Sequence, residues 1–232
     1  MVKKLKSMDY VMLLGSFLII SIIVNIYSLS KITSYKYRLG KQSYVQIEDI
    51  KQRNESNMYI LSKSIEEGSI KNQELLKIYN NYDAISNDII GLWQQYNNYT
   101  KNGLYKFSKA IKTNEIIDKD IYGKIKEYMS STLNREMRNE KSKLLLEAED
   151  LECFQSMQQM SVETYDYFKT FNQNILGGIT GDEKEKKIIK KLYWIDMLQG
   201  MYAISDDYAN VEWKIEQLDL DEIDEGEQKI TQ

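Results

Sequence analysis

The chain has 232 residues and a formal net charge of −4 with both signs interspersed, which excludes nucleic acid as a partner because phosphate binding needs a clustered basic surface. It contains no His, no phosphate-cradling Gly loop, no H-E-x-x-H pair and no Ser, His and Asp set, so no catalytic residue, cofactor or metal site is expected. Pro is absent too, and a chain that never uses this turn-former and helix-breaker reads as long helices joined by short turns.

Residues 1–10 form a short basic tail with Lys3, Lys4 and Lys6. Val11 to Leu29 then reads VMLLGSFLIISIIVNIYSL, without a charge. As a helix this run spans about 28 Å, against a hydrocarbon core of roughly 30 Å. Gly15, Ser16, Ser21 and Asn25 are tolerated there because a helix satisfies its backbone internally. The run is longer than a usual signal-peptide core and no A-x-A-like site follows it. Residues 11–29 are therefore expected to remain in the lipid bilayer as an uncleaved anchor. Lys31, Lys36, Arg38 and Lys41 follow, so the basic residues on the two sides nearly balance, tilting slightly towards a cytoplasmic C-terminal side. A basic tail ahead of an N-terminal apolar run is nonetheless the usual start of an exported signal anchor. The soluble part is expected to be extracytoplasmic. Scarce Arg and Ala beside abundant Lys, Ile, Asn and Tyr fit the coding bias of an AT-rich bacterial genome.

Beyond the anchor the pattern predicts an all-α fold, with the membrane helix continuing into an antiparallel four-helix bundle over residues 30–218. The first helix, about 30–67, carries Ile47, Ile50, Asn54, Met58, Leu61 and Ile65 at alternating three and four spacing, a bundle or coiled-coil stripe ended by Gly68. The second, about 73–100, has an aromatic stripe that includes Leu75, Ile89 and Tyr82, and it stops at Asn102-Gly103. The third, about 141–176, runs through Leu144, Ala148, Phe154, Met157, Phe168 and Ile175 to Gly177-Gly178. The fourth, about 183–218, opens on Thr180-Gly181-Asp182-Glu183, which fits a capping box, with Glu183 able to pair with Lys187. Its stripe passes Ile188, Leu192, Ile195, Tyr202, Tyr208 and Ile215.

The insertion 103–140 should hold a short helix near Leu104–Lys112 and another over about 119–137, with Asp118 as a cap. One unbroken helix over 119–176 is the alternative. An up-and-down bundle would bring both the insertion and the C-terminal end towards the membrane. Residues 219–232 read as a solvated acidic tail, since acids at a helix C-terminus oppose its dipole.

Three features bear on function. Cys153 lies in an apolar helical pattern and reads as a small core residue. Lys101, Lys106, Lys109 and Lys112 ring Leu104, Phe107 and Ile111 on one face, a basic amphipathic segment suited to an anionic bilayer surface or, more blandly, to packing on the bundle's end. Tyr79, Tyr82, Trp93 and Tyr96 form an aromatic ladder that either lines a pocket between helices or fills the core.

Ile26–Ile32 resembles the end of the first transmembrane helix in methyl-accepting chemotaxis receptors with a four-helix-bundle sensor module. Leu13–Ile20 is similar to the start of the same helix. The resemblance covers about forty residues and implies an extracytoplasmic helical sensor bundle. The second membrane helix, the linker domain and the cytoplasmic signalling hairpin of that family find no counterpart in the sequence. Receptor signalling and the family's ligand residues are therefore not carried over. The expectation is a non-enzymatic, membrane-anchored bundle for protein interaction, self-association or ligand sensing at the cell envelope. The alternative is a scaffold in a cell-division or secretion assembly.

Overall fold

The computed structural model describes residues 7–101 and 120–215. Its elements are helical apart from one short ribbon, in agreement with the all-α expectation. Helix α1 runs unbroken from Ser7 to Glu67, 61 residues or about 90 Å. Its apolar N-terminal part is long enough to cross a membrane, and none of that stretch is buried within the protein. Past Gly40 the pattern changes to threes and fours, and Ile47, Ile50 and Leu61 enter the core. Nothing between the two parts interrupts the backbone ladder, so one rod serves both environments.

Gly68, at φ +63°, ends α1 in the left-handed conformation that glycine adopts without strain. Strand β1 (Ser69–Lys71) then leads directly into α2 (Asn72–Lys101). The tight turn lays α2 antiparallel to α1. Gln95 Nε2 donates to Gln46 Oε1 at 2.8 Å, and farther along Asn81 Nδ2 donates to Asn57 Oδ1 at 2.7 Å. Helix α3 (Ile121–Arg138) returns along α2, joined by Ser86 to Asp120 and by Lys126 to Asp83. Strand β2 (Lys143–Leu145) pairs antiparallel with β1, Ser69 opposite Leu145. Helix α4 (Ala148–Asn174) lies antiparallel to α1, where Asn54 Nδ2 donates to the Ser161 carbonyl at 2.8 Å. Helix α5 (Gly181–Lys191) follows α1 back towards its apolar part, and α6 (Tyr193–Asp206) reverses along α2. The near end of the bundle adjoins the apolar part of α1; the far end carries the ribbon.

Several expectations change. The third helix begins at Ala148 and not near 141, so 119–176 is two helices with a strand between them. The polar run before Lys143 has too little apolar surface to hold a helix on the core. Leu144 and Leu146 are instead buried through the ribbon, while Ala148 and Ile175, placed in the stripe, are exposed. The helix expected over about 119–137 is not a peripheral insertion: α3 is a packed member of the bundle, burying Ile121, Tyr122, Ile125, Tyr128 and Met129. The fourth helix is broken. Leu192 takes φ +57° between α5 and α6, and the helix ends at Asp206, so 207–215 is not helical and Ile215 is exposed.

The N-terminus of α5 sits where the capping signal put it, at Thr180, but no side-chain capping bond forms. Lys187 donates to the Ile175 and Leu176 carbonyls, both at 3.1 Å, in place of the expected ion pair with Glu183. The chain after α6 also runs away from the near end. Lys214 reaches Glu149 at 3.2 Å, which puts the start of the C-terminal segment at the far end and corrects the expected return towards the membrane. Residues 102–119 and 216–232, including Asp118 and the acidic tail, lie outside the described residues.

The packing of α6 on α4 leaves room only for glycine at 200. A Cβ there would lie 2.1 Å from Cζ of Tyr167, whose hydroxyl donates to the Asp196 carbonyl at 2.8 Å. Gly to Ala in an open helix gains about 1 kcal/mol. Gly200→Ala is instead expected to cost about 1–3 kcal/mol, because the ring must leave its place. In a Tyr167→Ala background the same change becomes neutral or stabilising. Thermal melts of the four proteins check the cycle, and a Gly200→Ala protein that melts higher than wild type refutes the close packing.

Candidate functional site

Three elements meet at the near end of the bundle. Helix α1 brings Thr33, Lys36 and Tyr37 just beyond its apolar part, and α2 brings Tyr99 from its last turns. Lys186, Ile189 and Lys190 of α5 close the other side together with Leu192 at the break. The result is an open groove of about 640 Å³, within the usual range for small-molecule sites.

Local structure explains how these groups converge. Gly40 lets α5 approach α1 so closely that a Cβ there would lie 2.9 Å from Cγ2 of Ile189. Tyr99, fully buried, donates its hydroxyl to the Lys36 carbonyl at 3.0 Å, which ties the end of α2 to α1. Burial pushes the Tyr99 hydroxyl up to about 12, so it stays a donor at neutral pH. The left-handed turn at Leu192 ends α5 and turns a leucine towards the groove where a straight helix would have passed on.

The floor is therefore apolar, from Tyr99, Ile189 and Leu192, and the rim is basic. Among the described residues no carboxylate lines the groove. Lys41 and Lys184, farther along, are paired with Glu185 and Glu48. Lys186 and Lys190 are exposed and have no acidic partner among the described residues. On the same end of α1, Lys31 sits over the Tyr27 ring at 5.5 Å and Arg38 over the Tyr35 ring at 5.9 Å. Sequence reading found the basic residues of α1 here. It missed Lys186, Lys190 and Leu192, whose only signal was a lysine-rich turn that equally suits the C-terminal dipole of α5.

Of the two candidate sites read from sequence, one lies almost wholly outside the described residues and the other is packed in the core. Lys101 is the last residue of α2, close behind Tyr99, whereas Leu104, Lys106, Phe107, Lys109, Ile111 and Lys112 lie outside the described residues. In the aromatic ladder Tyr82, Trp93 and Tyr96 are buried and Tyr79 half-buried against the core. Trp93 meets Tyr96 edge-on at 5.6 Å and Tyr202 edge-on at 6.0 Å. The cavity beside Trp93 measures about 20 Å³, room for about one water, and Tyr79, Tyr82 and Tyr96 do not line it. These rings act as core.

A polar line, buried at Ser43 and half-buried farther on, also runs along α1. Ser43 bonds Gln95, Gln46 Nε2 reaches Asp88 Oδ1 at 3.2 Å, and Arg53 Nη1 reaches Asn81 Oδ1 at 3.4 Å. Such buried and half-buried bonds reward one register of α1 against α2, since a slip strands the polar groups. At the far end Arg135 Nη2 meets Asp150 Oδ2 at 2.9 Å, and Tyr128 donates to the other Asp150 oxygen at 2.8 Å. Cys153 is buried, as its pattern implied, and desolvation raises its thiol pKa, which keeps it a poor nucleophile. Compared with models of known protein families, with curated proteins and with solved structures, the chain matches none.

Proposed function

We infer that this is a single-pass membrane protein whose residues 11–29 cross the bilayer and hold a non-enzymatic helical bundle on the extracytoplasmic face. There the bundle works by binding a protein partner at the bacterial cell envelope. The observation that carries the reading is α1 itself, a single helix from the apolar stretch into the bundle core. A flexible tether would only localise the bundle. A rod that is also the central core helix fixes its height and orientation above the lipid, which suits recognition of another membrane-bound assembly. The far end supports this, because Leu145, Met137 and Leu76 are exposed on the elements that form it. Large apolar side chains there are candidates for contact with a partner.

The same rod also suits the scaffold reading, in which the helices set spacing within a division or secretion assembly. Two experiments separate the possibilities. Protease shaving of intact cells should remove an epitope placed at the C-terminus; an epitope protected until lysis puts the bundle in the cytoplasm. A photo-crosslinker at Leu145 or Met137 in living cells should then give one discrete protein adduct that Leu76→Asp suppresses. Adducts no different from those at exposed Lys169 on α4 count against partner binding. An adduct to division or secretion proteins alone favours the scaffold.

A further inference from the structure

We propose that the near-end groove between α1, α2 and α5 binds the head of one anionic phospholipid of the bilayer that α1 crosses, with the phosphate at Lys186 and Lys190 and the glycerol region on Leu192. The inference rests on α1 spanning the membrane and adds a ligand class to that reading.

Position is the first argument. Thr33 lies four residues past Leu29, which is about 6 Å along a helix, and the headgroup zone of a bilayer is roughly 5–8 Å deep. Because α1 is continuous there, the mouth of the groove at Thr33 stands at phosphate height, and Ile189, beside Gly40, lies about 10 Å farther from the bilayer. Chemistry is the second. Lys186 and Lys190 edge an apolar floor with no carboxylate among the described lining residues. That arrangement matches an amphiphile with a negative head: the lysine stems cover apolar surface while their ammonium groups reach the phosphate. A zwitterionic lipid would bring its own cation against this rim. The volume, about 640 Å³, exceeds what a free phosphate fills. The belt of Tyr27 with Lys31 and Tyr35 with Arg38 is the usual composition of a membrane interface, on the same helix and at the same level.

The adjoining segment of the chain is the competing occupant. Residues 102–119 carry four lysines against two acids, so their charge matches a basic rim poorly. A soluble anion is the other competitor.

The test uses the full-length protein in nanodiscs and mixed micelles, with phosphatidylglycerol and phosphatidylcholine as probes. Native mass spectrometry should show one phosphatidylglycerol retained per chain, with phosphatidylcholine retained at least about tenfold less. Lys186→Glu with Lys190→Glu should weaken retention by at least about tenfold, whereas Lys143→Glu on the far-end ribbon should leave it unchanged. Lys186→Gln with Lys190→Gln repeats the test with a milder change should the charge reversal fail to fold. Equal retention by the folded double variant, or equal retention of the two lipids, overturns the proposal. So does displacement of the lipid by millimolar inorganic phosphate, which marks a soluble-anion site. A disulfide forming readily between cysteines placed at Ile117 and Ile189 overturns it by showing that the chain fills its own groove. Flotation of the wild-type protein with pure phosphatidylcholine vesicles reports the membrane span independently, so failure of the span and failure of the groove give different results.

Discussion

Arg135→Ala is expected to destabilise the bundle by about 3–5 kcal/mol, the cost of leaving buried carboxylates without their cation. Arg135 lies between two acids that reach little solvent: Glu136 is 2% exposed and Asp150 is 8% exposed. The guanidinium stands 2.9 Å from Asp150 and 3.5 Å from Glu136, a fork that one lysine ammonium reproduces only in part. Arg135→Lys should therefore lose less than the alanine variant but more than a surface change. Removing the acid as well separates burial from pairing. In an Asp150→Asn background, the further loss from Arg135→Ala should shrink by a kilocalorie or more, on the scale of couplings between neighbours of about 0.5–3 kcal/mol. Thermal unfolding of the full-length protein in detergent, followed by far-ultraviolet circular dichroism, makes the comparison. With about 2–4 °C per kcal/mol for a chain of this size, the alanine variant should melt roughly 10 °C lower. A shift within a degree or two of wild type would show the cluster to be open to water.

The second large effect is expected at Trp194, where Ala should cost about 3–5 kcal/mol as a large buried ring is lost and its cavity only partly collapses. Trp194 has no exposed surface and meets Tyr99 at 5.7 Å, in the corner where the chain turns from α5 into α6. Its loss removes the contact that holds this corner against α2. Trp213, only half-buried on the non-helical segment and 6.0 Å from Tyr128, provides the comparison. Trp213→Ala should lower the melting temperature by less than half as much. Equal shifts for the two variants would mean that the α5–α6 corner is not part of the cooperative core.

Both sites show how far the amino-acid sequence could be read. Trp194 was legible as an apolar residue near a helix stripe, but its weight comes from Tyr99, nearly a hundred residues away in the chain. Glu136 and Arg135 fell near the end of the helix expected over about 119–137, in a stretch whose polarity gave no sign of burial. Glu136 is buried and Arg135 half-buried where α4 begins with Asp150 facing α3, in reach of the Arg135 guanidinium and the Tyr128 hydroxyl. The groove was legible only in part. The lysines following the apolar run were visible, whereas its α5 wall depends on a left-handed Leu192, a conformation that no local signal for leucine announces.

Composition and periodicity alone determined that the chain is helical, that its first helix is apolar enough to cross a membrane, and where most helices start or stop. These are local properties: the absence of Pro, the run of uncharged residues, and glycine at positive φ. Tertiary structure alone decided that α3 belongs to the bundle, that the last long helix is broken, that a short ribbon replaces a helical turn, and that the chain after α6 leads to the far end. Each of those outcomes is a competition between local helix propensity and burial against a partner distant in sequence, and contact with the partner prevailed because it removes far more apolar surface from water than one helical turn can contribute.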